Sequence, residues 1–314
     1  HMDRCLTCRS CETTCPSGVE YGQLLEIGRE MMESKRGKLQ ALYRYIVRKT
    51  LLTPLLFRPI GYFLRHSKVS SKPIKPNTVD SSVLLMGGCV QPTLAPNINH
   101  SIKNILAKLN IEVRESSQSE CCGALDQHLA ASNDALKKVK RNIDTWISQL
   151  DSGVEAIISS ARGCGIMIKD YPNLFEESDS YYEKALLVSS KTKDIAEFLA
   201  NKDLSMLNLK ELNISYHEPC TMQHGQKLGG LVESILSDFG YIKKTVKDSH
   251  ICCGSAGTYS IFETKIANQL RSEKIENLNA SKPKMIVTSN IGCLMHLQKG
   301  SSIPVKHWVE LLDV

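Results

Sequence analysis

No apolar run in these 314 residues reaches the ~18 residues that a membrane-spanning helix needs. No block of about five or six like charges occurs either, so nucleic acid is not expected as a partner. The net charge of +6 instead fits a basic face meeting an acidic partner or a membrane surface. The chain has no Gly-rich phosphate loop, no Ser/His/Asp constellation and no flavin-binding signature, which removes support for hydrolase, kinase and flavoprotein readings. The sequence as given opens without a leader pattern, so the expected compartment is a reducing one. In such a compartment metal or redox chemistry, rather than disulfides, accounts for organised cysteines. The length leaves room for two domains with cores of their own. A composition of 42 % hydrophobic and 23 % charged residues is that of an ordinary globular protein.

What the chain does have is 12 cysteines, and they fall into three organised groups with none left over. The first is Cys5, Cys8, Cys11 and Cys15-Pro16, the C-x2-C-x2-C-x3-C-P run of bacterial ferredoxins. That spacing wraps three thiolates around one cubane cluster, while the fourth, held before proline, turns toward a second cluster. A zinc knuckle is the rival occupant. By the ferredoxin rule Cys5, Cys8 and Cys11 need a fourth ligand from another run, and Cys15 belongs to that other run's cluster. No second run occurs, so the expectation is a chain shortened at its N-terminus, with His1-Met2 read as either a cloning scar or native sequence.

The other eight cysteines form two copies of one pattern. Cys89 precedes the doublet Cys121-Cys122-Gly123, and Cys164 follows it; Cys220 precedes Cys252-Cys253-Gly254, and Cys293 follows. Each leading cysteine lies 32 residues before its doublet, and the two sets are offset by 129 to 131 residues, member by member. This is an internal duplication of a four-cysteine unit. Structural zinc usually uses close C-x2-4-C pairs. A directly adjacent pair suits a larger multi-iron group better, with zinc kept as the alternative.

The expected fold class is α/β: two duplicated parallel α/β cysteine-rich units preceded by a mainly helical, ferredoxin-like N-terminal segment. The divisions are 1–66 for that segment with its amphipathic helices, 67–82 for a Ser/Lys/Pro-rich linker, 83–205 for the first unit and 206–314 for the second. Residues 20–34 have helical spacing, and 39–66 form a basic amphipathic helix broken by prolines. That helix serves either a membrane surface or partner, or simply packs on its own domain. Strands are expected at 83–86, 111–114, 156–159, 214–216, 241–246 and 285–288. Helices are expected at 97–109, 133–150, 226–239 and 258–279, and in a last stretch holding His307 to Leu312.

In both units the cysteines come after strands. The C-terminal ends of a parallel sheet share one rim where ligands bind, so cysteines far apart in sequence can meet there. The helix after each doublet is expected to aim its N-terminal N–H groups at the bound anionic group. His217 is a candidate ligand or proton shuttle, and His296 a candidate extra ligand. His128 and His224 also lie near cysteines in sequence, and Glu218 reads as a loop carboxylate.

Several stretches resemble the iron–sulfur subunits of bacterial glycolate oxidase. They include the opening Arg4-Cys5-Leu6-Thr7-Cys8-Arg9, Gly88-Cys89-Val90-Gln91-Pro92-Thr93-Leu94, Cys121-Cys122-Gly123-Ala124 and Gly163-Cys164-Gly165. In the second half they include Pro219-Cys220-Thr221-Met222-Gln223-His224, Cys252-Cys253-Gly254-Ser255-Ala256-Gly257-Thr258-Tyr259 and Asn290-Ile291-Gly292-Cys293. The wider superfamily shares this cysteine-rich (CCG) domain with lactate-utilisation proteins, anaerobic glycerol-3-phosphate dehydrogenase and heterodisulfide reductase. The resemblance implies 4Fe-4S clusters held by the 12 cysteines, an electron-relay role without a catalytic residue of its own, and FAD only on partner subunits that oxidise glycolate to glyoxylate. It also implies a quinone acceptor and a cytoplasmic protein peripherally bound to the inner face of the membrane. The alternatives are the iron–sulfur subunit of a lactate or glycerol-3-phosphate dehydrogenase, a heterodisulfide reductase-like thiol–disulfide enzyme, or a zinc scaffold. Two departures stand out. The family normally carries two ferredoxin runs. Heterodisulfide reductase units also end in C-x2-C, where this chain has Met167 and His296.

Overall fold

The computed structural model describes residues 2–69, 71–116, 121–207 and 212–313. His1, and Ser70 of the expected linker, lie outside them, as do 208–211 near the start of the second expected unit. Contacts divide the chain into two compact units. One joins His1–Leu24 with Leu199–Val314; the other is Leu25–Phe198. The ferredoxin-type run therefore shares a unit with the second cysteine group.

The N-terminal part is helical: α1 (Ser10–Thr14), α2 (Tyr21–Glu33), α3 (Lys38–Leu52) and α4 (Pro54–Phe63). Pro54 opens α4 at the position where a missing N–H costs nothing, while the Thr53 N–H closes α3 on the Lys49 carbonyl. The amphipathic pattern of α3 is turned inside out. Arg44 and Arg48 are buried, whereas Leu39, Leu42 and Ile46 are more than half exposed, as are Leu55 and Phe63 of α4. Packing of α3 on its own unit therefore runs through charge, and its apolar face is left outward.

The first cysteine unit comprises β1 (Ser81–Leu85), α5 (Gln91–Leu94), α6 (Pro96–Lys108), β2 (Ile111–Arg114), α7 (Ala124–His128), α8 (Ser132–Asp151), β3 (Ala156–Ser159), α9 (Arg162–Lys169), α10 (Tyr182–Lys191), β4 (Thr192–Asp194) and α11 (Ile195–Leu199). Its strands are parallel in the order β2-β1-β3-β4. The second comprises β5 (Leu212–His217), α12 (Leu231–Asp238), β6 (Tyr241–Lys243), α13 (Tyr259–Phe262), α14 (Thr264–Asn279), β7 (Met285–Thr288), α15 (Ile291–Gln298), β8 (Val305–His307) and α16 (Val309–Leu312). Its order is the same, β6-β5-β7-β8. Register repeats with it: Val83 opposes Ala156 in the first sheet, and the positions one repeat later, Ile214 and Met285, oppose each other in the second. The α/β duplication thus holds at the level of individual strand pairs. The central strands are buried Val/Ile/Leu runs between helices, as parallel sheets require.

Four expectations are corrected. The helix expected over 226–239 starts only at Leu231, because Lys227 and Gly230 take left-handed backbone and turn the chain. The helix over 258–279 breaks at Glu263 into α13 and α14. The strand expected to reach 246 stops at Lys243. His307 belongs to a strand, since it pairs with Thr288 across the sheet, and the helix that follows is only Val309–Leu312.

Candidate metal centre

In each sheet the strand order reverses direction at the first strand: β2 lies on one side of β1, and β3 and β4 on the other. Loops leaving the C-terminal ends of β1 and β3 diverge there and open a crevice, the place where parallel α/β sheets bind ligands. Cys89 follows β1, the doublet follows β2, and Cys164 follows β3; Cys220, Cys252-Cys253 and Cys293 repeat this after β5, β6 and β7. Topology thus brings each set to one rim.

The thiols of the second set touch. The Sγ atoms of Cys220 and Cys252 are 3.8 Å apart. A nitrogen of His217 and the sulfurs of Cys253 and Cys293 all lie within 4.8 Å of one another. Cys252 is held well below the ordinary thiol value because Cys220 and Cys253 donate to it, helped by the Gly254 N–H at 3.4 Å and by His217. Cys293 is lowered to about 5, chiefly by donation from Cys253 and then by the His217 imidazole. The Asn290 side chain donates to Cys293 Sγ at 3.5 Å. Cys220 and Cys253 are pushed up in turn, mainly as donors to Cys252.

The first set behaves alike. Cys121 is held well below the ordinary value, first by Cys122 and Cys89 donating to it, then by the Gly123 N–H and Lys138. Cys89 and Cys122 rise as its donors, and Cys122 also donates to Cys164. Asn142 Nδ2 donates to the Cys121 carbonyl at 3.1 Å and Tyr171 Oη to the Cys122 carbonyl at 3.0 Å, which fixes the doublet from behind.

Gly123 (φ 89°) and Gly254 (φ 86°) follow the doublets in left-handed backbone, so each chain turns back and its amide reaches the doublet's first sulfur. A short helix, α7 or α13, comes between each doublet and the expected long helix, which is present as α8 in the first unit and α14 in the second. It is the last cysteine of each set that sits in a helix's first turn, Cys164 in α9 and Cys293 in α15. The first-turn N–H groups of a helix favour negative charge placed beside them.

In the N-terminal run Cys8 lies near Cys5 and Cys11; burial first, then the Cys252, Cys5 and Cys11 sulfurs, push its thiol up. Cys15 is turned elsewhere. The Val19 and Ser17 amides hold it down, and the Tyr21 hydroxyl lies 3.9 Å from its sulfur. The run packs on the second cysteine set: Thr13 Oγ1 is 2.9 Å from His224 Nδ1, and Arg4 reaches Glu263 at 3.8 Å.

Of the four histidines singled out in the sequence, His217 is the one that joins the sulfurs among the described residues. His296 Nε2 donates to the Ala267 carbonyl at 3.1 Å, and His128 pairs with Glu26 at 2.8 Å. Glu218 accepts from the Gly230 amide at 2.7 Å and braces the loop after Cys220.

Lys274 carries no motif in the sequence and is found only in the fold. It is buried in α14, beside Cys252 and Cys253, and its Nζ donates to the Asp248 carbonyl at 2.6 Å. One repeat earlier stands Ile143, an inward apolar position. Aligning the two units would have exposed the lysine as a buried cation.

The donor set fits a thiophilic metal group. The lowered sulfurs, Cys121 in the first set and Cys252 and Cys293 in the second, are closed in by protein and need a nearby positive centre, since uncompensated buried anions are costly. Four converging thiols are the ligand complement of an iron–sulfur cluster or of tetrahedral zinc.

A family described as a cysteine-rich domain, CCG, matches residues 83–169 and 214–298. The chain is 40% identical to the glycolate oxidase iron-sulfur subunit of Escherichia coli (strain K12), over 100% of this chain and 81% of that protein. It is 26% identical to the probable glycolate oxidase iron-sulfur subunit of Bacillus subtilis (strain 168), over 95% of this chain and 77% of that one. It is also 26% identical to lactate utilization protein A of the same organism, over 74% of this chain and 98% of the relative. Two matched cysteine domains and full-length similarity make the chain a member of the CCG cysteine-rich family that includes the glycolate oxidase iron–sulfur subunits.

Proposed function

We propose that this chain is the electron-relaying iron–sulfur subunit of a glycolate-oxidising complex. Its partners are flavin-containing subunits that turn glycolate into glyoxylate, and its acceptor is a quinone. The observation that carries the reading is the gathering of four thiols at one rim of each of two sheets, in a chain 40% identical to an iron-sulfur subunit. Cys89, Cys121, Cys122 and Cys164 hold one group; Cys220, Cys252, Cys253 and Cys293 hold another. Cys5, Cys8, Cys11 and Cys15 serve as ligands in the ferredoxin manner. We take 83–205 and 206–314 as the two cysteine units, 1–66 as the N-terminal segment and 67–82 as the linker. A bound 4Fe-4S cluster supplies one-electron chemistry, whereas hydride from glycolate belongs to FAD on the partners.

The protein's own residues exclude water and tune charge. Burial of Cys122, Cys252, Cys253 and Cys293 keeps solvent from the sulfurs, and the Gly254 and Asn290 donors stabilise negative charge on them. Contact between Cys8 and the surroundings of Cys252 favours exchange of electrons between the N-terminal run and the second set. The outward apolar faces of α3 and α4 suit a partner protein or the inner face of the cytoplasmic membrane. Among the described residues no helix is long and apolar enough to cross a membrane. A thiol–disulfide mechanism is disfavoured because His296, at the position of a fifth cysteine, is committed to the Ala267 carbonyl.

Anaerobic purification tests the assignment. Iron and acid-labile sulfide in near-equal amounts, with a cluster EPR signal after reduction, support it. Zinc without sulfide overturns it.

A further inference from the structure

The two cysteine units agree in strand order, register and placement of four cysteines, yet they differ at a position beside the sulfurs. The residue three before the leading cysteine is Met86 in the first unit and His217 in the second, one 131-residue repeat apart. Both are buried. His217 is the last residue of β5, so the strand holds its backbone in place, paired with Thr288 of β7. Its imidazole lies with the Cys253 and Cys293 sulfurs, all three donor atoms within 4.8 Å of one another. Its Nε2 is buried and has no hydrogen-bond partner among the described residues. A buried ring nitrogen left unpaired is costly, and the same ring lies with two thiols of the site, hydrogen-bonded to Cys293. His128 pairs with Glu26 and His296 with the Ala267 carbonyl, and His224 meets Thr13 through Nδ1; none of these three joins the group of donor atoms that His217 forms with Cys253 and Cys293.

We propose that His217 supplies a nitrogen ligand to the iron–sulfur group of the second cysteine unit, giving that group a mixed sulfur–nitrogen donor set that the first unit lacks. The imidazole would offer a ring-nitrogen lone pair to iron on the side of the site occupied by Cys253 and Cys293. Where the imidazole takes an iron position in place of one of the four thiolates, it raises the potential of the iron–sulfur centre. The two duplicated units therefore differ in potential, and the second is the more readily reduced. Packing of the N-terminal run against the second set places this better acceptor beside Cys8.

The inference rests on the reading that the second unit holds iron and sulfide, and one sample tests both. The whole chain is purified anaerobically with ¹⁵N-histidine and with natural histidine, reduced, and compared by pulsed EPR. Iron and sulfide are counted on the same material, and loss of one group's iron in Cys252→Ser identifies the second site. The expected result is a strong, directly bound nitrogen coupling that changes with the isotope. It should disappear in His217→Met, which copies the first unit, while most of the iron is retained and one midpoint potential falls. If His217→Met does not fold, His217→Cys serves in its place. Iron and sulfide present with only weak nitrogen coupling, or a strong coupling that survives both variants, overturns the ligand assignment alone. Zinc without sulfide in the second unit overturns the underlying reading and the assignment with it.

Discussion

The guanidinium of Arg48 on α3 meets the carboxylate of Asp126 at 2.7 Å, four residues past the Cys121-Cys122 doublet, and both side chains are buried. Lys138 reaches the other carboxylate oxygen at 2.5 Å, and Arg48 also reaches Asp134 at 2.9 Å. The helix that reads as a basic surface feature is thus anchored by its charge to the turn carrying the first cysteine doublet. Breaking a buried pair leaves an uncompensated charge and costs about 3–5 kcal/mol. Arg48→Ala should fall near the low end of that range because Lys138 still faces Asp126. Urea denaturation measures the loss, and iron content should drop at the first site only.

The two doublet glycines make a second test, because they share a backbone conformation but differ in room. A Cβ on Gly254 would lie 2.6 Å from the Ala267 carbonyl oxygen, whereas one on Gly123 meets nothing nearer than 3.4 Å. Left-handed backbone costs a residue with a side chain about 1–2 kcal/mol. Gly123→Ala should lose about that much, and Gly254→Ala clearly more, with iron lost from the second site. Equal losses in urea would contradict the packing described around α14.

Glu26 carries a pH dependence. Burial would raise its carboxyl, but His128 and then Arg29 outweigh burial and hold it below the ordinary value. A carboxyl lowered by folding adds stability that is complete above its unfolded pKa, about 4.3, and is lost as pH falls through the folded value. The stability difference between the native chain and Glu26→Gln should therefore shrink on acidification below about pH 5. A constant difference from pH 6 to pH 3 would show that the ion pair does not bear on folding.

Much of this was legible in the chain. The doublets, their flanking cysteines and the repeat pointed to the α/β duplication, because strands such as Ala156–Ser159 and Met285–Thr288 are short apolar runs that end just before a cysteine. The edge strands β4 (Thr-Lys-Asp) and β8 were not legible: three residues with a charged middle carry no period, and only pairing with a neighbour defines them. The inward turn of Arg44 and Arg48 was equally hidden. Helical periodicity says which side chains share a face, but not which face the rest of the unit will cover. His217 and His296 stood as equals in sequence, each three residues from a cysteine. Only the fold sends one to the sulfurs and the other to a carbonyl.

If the two cysteine sets hold separate groups, Cys121→Ser and Cys252→Ser should each remove one group's iron and sulfide and leave the other. The double variant should lose the sum, as independent sites do. Metal analysis per chain reads this directly, and a single substitution that empties both sets would refute independent sites.

The central claim is that this chain receives electrons which flavin subunits take from glycolate. The most direct measurement mixes the anaerobically purified, oxidised chain with glycolate, with and without those flavin subunits, and follows the visible iron–sulfur absorption. The account predicts rapid bleaching only when the flavin subunits are present, because the cluster centres do not accept hydride. Bleaching by glycolate with the chain alone, or none when active flavin subunits are added, would contradict it.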